Sequence, residues 1–102
     1  MNYRIDITPN ARKWLKEIGK YIGQDNPQRA LSFIDEITNG FNQRLSLFPY
    51  SGQVLEGWNF KWEIRVWSHK NYISYYRVIE DTKTVEILYI FNASKSMEWL
   101  YK

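Results

Sequence analysis

The stretch Thr8-Pro9-Asn10-Ala11-Arg12-Lys13-Trp14-Leu15-Lys16-Glu17-Ile18-Gly19-Lys20-Tyr21-Ile22-Gly23-Gln24-Asp25-Asn26-Pro27 decides the fold. It contains two helix starts of the same design. Thr8 and Asn26 offer side-chain oxygens to otherwise unpartnered N–H groups, and Pro9 and Pro27 occupy first-turn positions where a missing N–H costs nothing. Between them Ala11, Trp14, Leu15, Ile18 and Ile22 recur at helical spacing, with Arg12, Lys13, Lys16, Glu17 and Lys20 on the other face. The spacing predicts a first helix to about Gly23 and a short turn at Gln24–Pro27. A second helix comes next, carried by Ala30, Ile34, Ile37, Phe41, Leu45 and Phe48. Gly40 inside it costs about 1 kcal/mol relative to alanine. The pair forms an αα-hairpin.

Upstream, Tyr3, Ile5 and Ile7 alternate with charged residues, which predicts a half-buried strand over Tyr3–Thr8. Downstream, Pro49-Tyr50-Ser51-Gly52 stops the second helix and residues 50–60 form a loop. Lys61–Trp67 alternates, with Trp62, Ile64 and Val66 opposite Glu63, Arg65 and Trp67. Turns at Ser68–Asn71 and Glu80–Lys83 separate it from strands Tyr72–Ile79 and Thr84–Phe91. The last strand is apolar on both faces, which points to a central strand covered on both sides. The tail Asn92–Lys102, with Met97, Trp99 and Leu100, is the place for a last short helix. The expected fold is α+β, in the order βααβββ: a helical hairpin on one face of a mostly antiparallel four-stranded sheet. The place of the first strand stays open between an edge and a seat beside the last strand.

A chain of 102 residues supports one core, so residues 1–102 are read as a single domain. No cysteine is present, which excludes disulfides and thiolate metal sites, and a lone histidine argues against zinc. No metal or cofactor is expected. No apolar run approaches bilayer length and the first residues lack a secretory core, so a soluble, cytoplasmic protein is expected. The net charge of +3 favours an acidic protein or a phosphate backbone as partner. Aromatic residues make up 18% of the chain, more than a small core usually holds, so some must be partly exposed, and exposed aromatic residues favour a protein interface or base stacking.

Five fragments carry a family resemblance: the Ala11–Ile22 helix ending in Tyr21-Ile22; Asp25-Asn26-Pro27 with Ala30; Phe48-Pro49-Tyr50-Ser51-Gly52; Tyr72-Ile73-Ser74-Tyr75-Tyr76-Arg77-Val78; and Val85–Phe91. In this order and spacing, over about residues 3–95, the chain resembles the RelE/ParE superfamily of toxins, the ParE branch more than the RelE branch. The resemblance implies the toxin half of a type II toxin–antitoxin pair. Its partner would be an acidic, partly disordered antitoxin. Its target would be DNA gyrase, poisoned by binding, as in ParE-like members. The alternative target is messenger RNA, cut on the ribosome, as in RelE-like members. In the family the last strand typically runs into a histidine and, three residues on, an arginine. Here Asn92 and Lys95 stand in those places. Asparagine exchanges no proton near neutral pH, and lysine lacks the planar two-pronged grip on phosphate.

Under the ribonuclease alternative, Arg65 resembles by position a strand arginine that stabilises the transition-state phosphate, with Tyr76 and Lys95 beside it as catalytic candidates. A symmetric Ser68–Asn71 turn puts Arg65 opposite Ser74, sharing a face with Glu63, Trp67, Tyr72 and Tyr76. That face suits RNA: guanidinium on phosphate, rings on bases, Tyr or Glu at a 2′-hydroxyl. It suits equally a strand face held by Glu63 and Arg65, or one covered by the tail. Arg12, Trp14, Lys16, Tyr21, Trp67, Tyr72 and Trp99 are the candidates for antitoxin or target binding. Trp14 and Tyr21 fit a core equally well, and the basic residues of the first helix, Lys13 and Lys20 included, fit a solvated face. His69 is expected in a turn, in solvent.

Overall fold

The computed structural model describes residues 2–56 and 61–93. Strand β1 (Arg4–Ile7) leads into helix α1 (Pro9–Gly23) and helix α2 (Pro27–Gly40). Both predicted caps form: Thr8 Oγ1 accepts from the Ala11 N–H at 3.2 Å and Asn26 Oδ1 from the Arg29 N–H at 3.0 Å. Thr8 also ties the start of α1 to the sheet, its hydroxyl donating to the Ile87 carbonyl at 2.7 Å.

Helix α2 continues into a π-helical turn, Phe41–Leu45. The wider turn keeps Phe41, Leu45 and Ser46 buried, while Leu47 and Phe48, the latter expected at the end of the apolar stripe, are exposed. The stripe instead includes Phe33, which is fully buried. Gly40 has a tertiary reason: a Cβ there would collide with Trp67 Cη2 and stand 3.1 Å from Cζ2. The helix breaker is what lets the indole lie against α2.

Among the described residues the sheet has five strands, not four, in the order β1-β5-β4-β3-β2. The added strand, β2 (Gln53–Val54), lies inside the expected loop and pairs antiparallel with β3 (Arg65–His69). A two-residue strand has no periodicity to detect. Strand β3 starts later and ends later than its alternation suggested, because the reversal to β4 (Tyr72–Ile79) needs only Lys70 and Asn71. Lys70 adopts φ 56°, the left-handed conformation that such a two-residue hairpin uses. Arg65 therefore faces Tyr76, not Ser74. The last strand, β5 (Thr84–Asn92), is central as expected, between β4 and β1, and β1 joins it in parallel with Ile5 opposite Val85. A bulge between Tyr75 and Tyr76 pairs Tyr75 with Tyr89 and Tyr76 with Ile87.

A register slip of two residues preserves side-chain direction, so Arg65, Trp67, Tyr72 and Tyr76 do share a face. It is the face under the helices. Phe41 packs edge-on against Trp67 at 5.5 Å and Phe33 meets Tyr72 at 4.5 Å. With Ile37, Ile87 and Ile90, all fully buried, they make the core. Each such side chain contributes about 1.5–3 kcal/mol on burial. The opposite face presents Ile73, Tyr75 and Arg77 of β4, paired with Phe91, Tyr89 and Glu86 of β5.

Candidate functional site

Arg65 and Tyr76, the two catalytic candidates that the structure describes, meet across β3 and β4 and hold one loop. The Tyr76 hydroxyl donates to the Pro49 carbonyl at 2.8 Å and accepts from the Gly52 N–H at 2.9 Å. Arg65 Nη1 donates to the carbonyls of Tyr50 and Gly52 at 3.0 and 2.8 Å, and Nη2 to Glu63 Oε1 at 2.9 Å. The guanidinium also lies over the Tyr50 ring, 5.2 Å from its centre. Gly52 is required here, since a Cβ would run into Tyr76 Oη and stand 2.6 Å from the Val66 carbonyl. Burial pushes the Tyr76 phenol above its ordinary pKa, an effect opposed by the Gly52 N–H and by Arg65. The phenol stays protonated at neutral pH and the guanidinium faces carbonyls and a carboxylate of its own chain. Lys95 lies outside the described residues.

His69 is not a solvated turn residue. It closes β3, its ring 6.0 Å from Trp67 and 6.1 Å from Phe33, with Nε2 3.3 Å from Glu36 Oε1 on α2. Glu36 also accepts from Arg29 and, at 3.1 Å, pairs with Lys70. Arg29 above all, then Lys70, holds the Glu36 carboxyl down to about 2. This cluster locks the β3–β4 hairpin to α2. Arg77 pairs with Glu86 at 2.7 Å and stacks on Trp62 at 3.7 Å. Sequence reasoning missed the Arg77–Glu86 pair, although a tight turn after Ile79 places the two opposite each other.

One open concavity is a groove of about 660 Å³ between α1 and the ends of β4 and β5. Its helix wall is Lys13, Trp14, Glu17, Ile18, Lys20 and Tyr21, and its sheet wall includes Tyr72, Ile90, Phe91 and Asn92. Trp14 packs on Tyr89 at 5.0 Å, which fixes the helix wall against β5. Of the predicted binding residues, Trp14, Tyr21 and Tyr72 thus come together. Ile90 and Phe91 were legible only as strand residues. Arg12 is turned away, its Nε donating to the Ile7 carbonyl at 2.8 Å, and Lys16 stands exposed outside the groove. Trp67 belongs to the core, and Trp99 lies outside the described residues. Among the described residues no group of three His, Cys, Asp or Glu is placed to hold a metal ion, and no helix is long and apolar enough to cross a membrane.

A helical hairpin on a mixed five-stranded sheet is the fold of the RelE-type toxins. The toxin–antitoxin complex RelBE2 of Mycobacterium tuberculosis superposes with a TM-score of 0.68 at 20% identity, covering 93% of this chain and 95% of that one. The isolated RelE toxin of E. coli gives 0.54 at 14% identity over 97% and 93%. The archaeal RelE–RelB complex of Pyrococcus horikoshii OT3 gives 0.52 at 21% over 94% and 100%. No curated protein matches the chain. The family model for the ParE toxin of the type II toxin–antitoxin system parDE matches residues 5–97, and the chain belongs to that family.

Proposed function

We propose that this type II toxin acts by binding, with DNA gyrase as its target, and that an acidic antitoxin segment restrains it from the α1 groove. The observation that carries the binding mode is the state of Arg65. At the strand position where an RNA-cleaving relative would present a phosphate-gripping arginine, its Nη atoms donate to Tyr50, Gly52 and Glu63. Asn92, at the end of β5, supports the same reading, because it offers no group that titrates near neutral pH. A toxin that traps its target by contact needs a shaped surface and no proton shuttle.

The groove supports the antitoxin half of the proposal. Its apolar floor of Ile18 and Ile90 is edged by Lys13 and by Lys20, the latter 3.8 Å from Glu17, a net basic edge that suits an amphipathic segment with an acidic flank. Two of the structural neighbours are toxin–antitoxin complexes. A cytoplasmic site of action goes with this target.

Purified protein added to a gyrase supercoiling reaction is expected to block it, and added to cell-free translation to leave it running. Arrest of translation with messenger cleavage, and no effect on supercoiling, would replace this reading with the RelE-like ribonuclease. A neighbouring gene for a short acidic protein with a DNA-binding N-terminal part is expected.

A further inference from the structure

We infer that the outer face of α1 is a contact for the phosphate backbone of duplex DNA, made by Arg12, Lys13, Lys16 and Lys20. The phosphate contact goes beyond the gyrase reading, and the choice of DNA over RNA rests on that reading. Four of the chain's fourteen basic residues and one of its eleven acidic residues lie in α1. The net charge of +3 is therefore that of this one helix, and the rest of the chain is neutral.

At 3.6 residues per turn the four cations fall within an arc of about 100°, with Arg12, Lys16 and Lys20 in a row about 12 Å long. Pro9 and Gly23, at the two ends of the helix, share the arc; no acidic and no large apolar side chain does. All four cations are exposed. Among the described residues Arg12, Lys13 and Lys16 pair with no carboxylate, and Arg12 is steadied by its Nε on the Ile7 carbonyl. Lys20 stands 3.8 Å from Glu17, which lies on the groove side.

The neighbouring elements do not neutralise this face. β1 carries Arg4 against Asp6, and α2 with its π-helical turn carries Arg29 and Arg44 against Asp35 and Glu36. The connecting turn adds Asp25, so the hairpin stays net positive. None of Asp6, Asp25 and Asp35 lies within ion-pair distance of an α1 cation.

Such a row costs the free helix stability. Like charges four residues apart repel, and Arg12 and Lys13 stand near the positive end of the helix dipole, where the first turn has no acidic residue. A polyanion along the face relieves both. An acidic peptide segment needs apolar contacts as well as charge, and on α1 those lie around the helix, in the groove of Trp14, Ile18 and Tyr21. The arc offers charge at regular steps, which is what a sequence-independent phosphate contact uses. Gyrase works on duplex DNA, which puts that polyanion beside a toxin bound to the enzyme.

The test is an anisotropy titration of the full chain against a labelled DNA duplex of about 20 bp, at about 50 and 200 mM salt, for wild type and Arg12→Gln/Lys16→Gln. With four phosphate contacts wild type is expected to lose about 150-fold in affinity between the two salts, and the variant, with two, about tenfold. Equal losses would take α1 out of the contact, and no binding at the lower salt would end the inference. Polyglutamate that displaces the duplex as well as unlabelled DNA does would give the face to an acidic protein instead. An RNA duplex bound tenfold tighter than DNA would overturn the choice of DNA. Supercoiling inhibition is read on the same proteins. Wild type that spares gyrase yet binds DNA with the expected salt losses ends the gyrase reading and leaves the α1 contact standing; inhibition without DNA binding does the reverse. Should the double variant melt early, Lys16→Gln alone, whose amine holds no ion pair, is expected to show a loss of about fortyfold.

Discussion

Arg65 on β3 and Tyr76 on β4 face each other directly, and both direct their polar atoms to the loop Pro49–Gly52. The pair fastens the end of the helical hairpin to the sheet. Arg65→Ala removes hydrogen bonds to two carbonyls and one carboxylate from a side chain only 17% exposed. A loss of about 1–3 kcal/mol is expected, read as a lower urea midpoint at unchanged slope. Gyrase inhibition measured well below the midpoint is expected to survive. Abolished messenger cleavage by a fully folded Arg65→Ala protein would return Arg65 to a chemical role.

Gly40→Ala sets two effects against each other. Alanine gains about 1 kcal/mol in helix propensity, while its Cβ meets the Trp67 indole, and overpacking of this kind costs about 1–3 kcal/mol. A net loss is expected in wild type. In a Trp67→Leu background the same substitution is expected to stabilise, so a double-mutant cycle in thermal melts reads the clash directly.

Glu80 links an acid response to an alkaline one, while Glu36 adds a separate acid response of the same sign. Lys83, then Tyr50 and Tyr3, hold the Glu80 carboxyl down to about 2, and Glu80 in turn pushes the Tyr50 phenol up to about 12. A depressed carboxylate stabilises the fold above its unfolded value, near 4.5, and this is lost as pH falls towards 2. A raised phenol contributes below its unfolded value, near 10, and this is lost as pH climbs towards 12. Stability measured against pH is expected to fall at both ends, and Glu80→Gln to flatten both slopes. A variant that changes only the acid limb would show that Tyr50 is not coupled to it.

Tyr21 lines the groove with its side chain half in solvent, so Tyr21→Ser is expected to leave the melting temperature within a few degrees. Binding of the antitoxin from the adjacent gene is expected to weaken about tenfold by calorimetry. Lys13→Glu/Lys20→Glu is expected to weaken it further at low salt, the difference shrinking as salt rises. Salt-independent losses would remove the lysines from the interface.

Much of the architecture could be taken from the chain directly. Thr8-Pro9 and Asn26-Pro27 mark helix starts within two residues, and the Ala11–Ile22 period marks the buried side of α1, because caps and periodicity are properties of neighbours. The double-sided run Val85–Phe91 likewise announces a strand with neighbours on both edges. The site was less legible. Trp14, Tyr21 and Tyr72 stand out in the chain as separate aromatic residues, and nothing in their spacing says that they wall one groove.

The two helices of the hairpin, four of the five strands of the described residues, their order and the toxin family were thus legible in local pattern and residue identity. Tertiary packing alone decided that β1 lies parallel to β5, that Gln53–Val54 adds a fifth strand, and which side of β3 and β4 the helices cover. The physical reason is that β3 and β4 carry large side chains on both faces, so alternation cannot choose between them. Register, coverage and the use of Arg65 depend on partners far away in the chain, whose contacts exist only once the fold has closed.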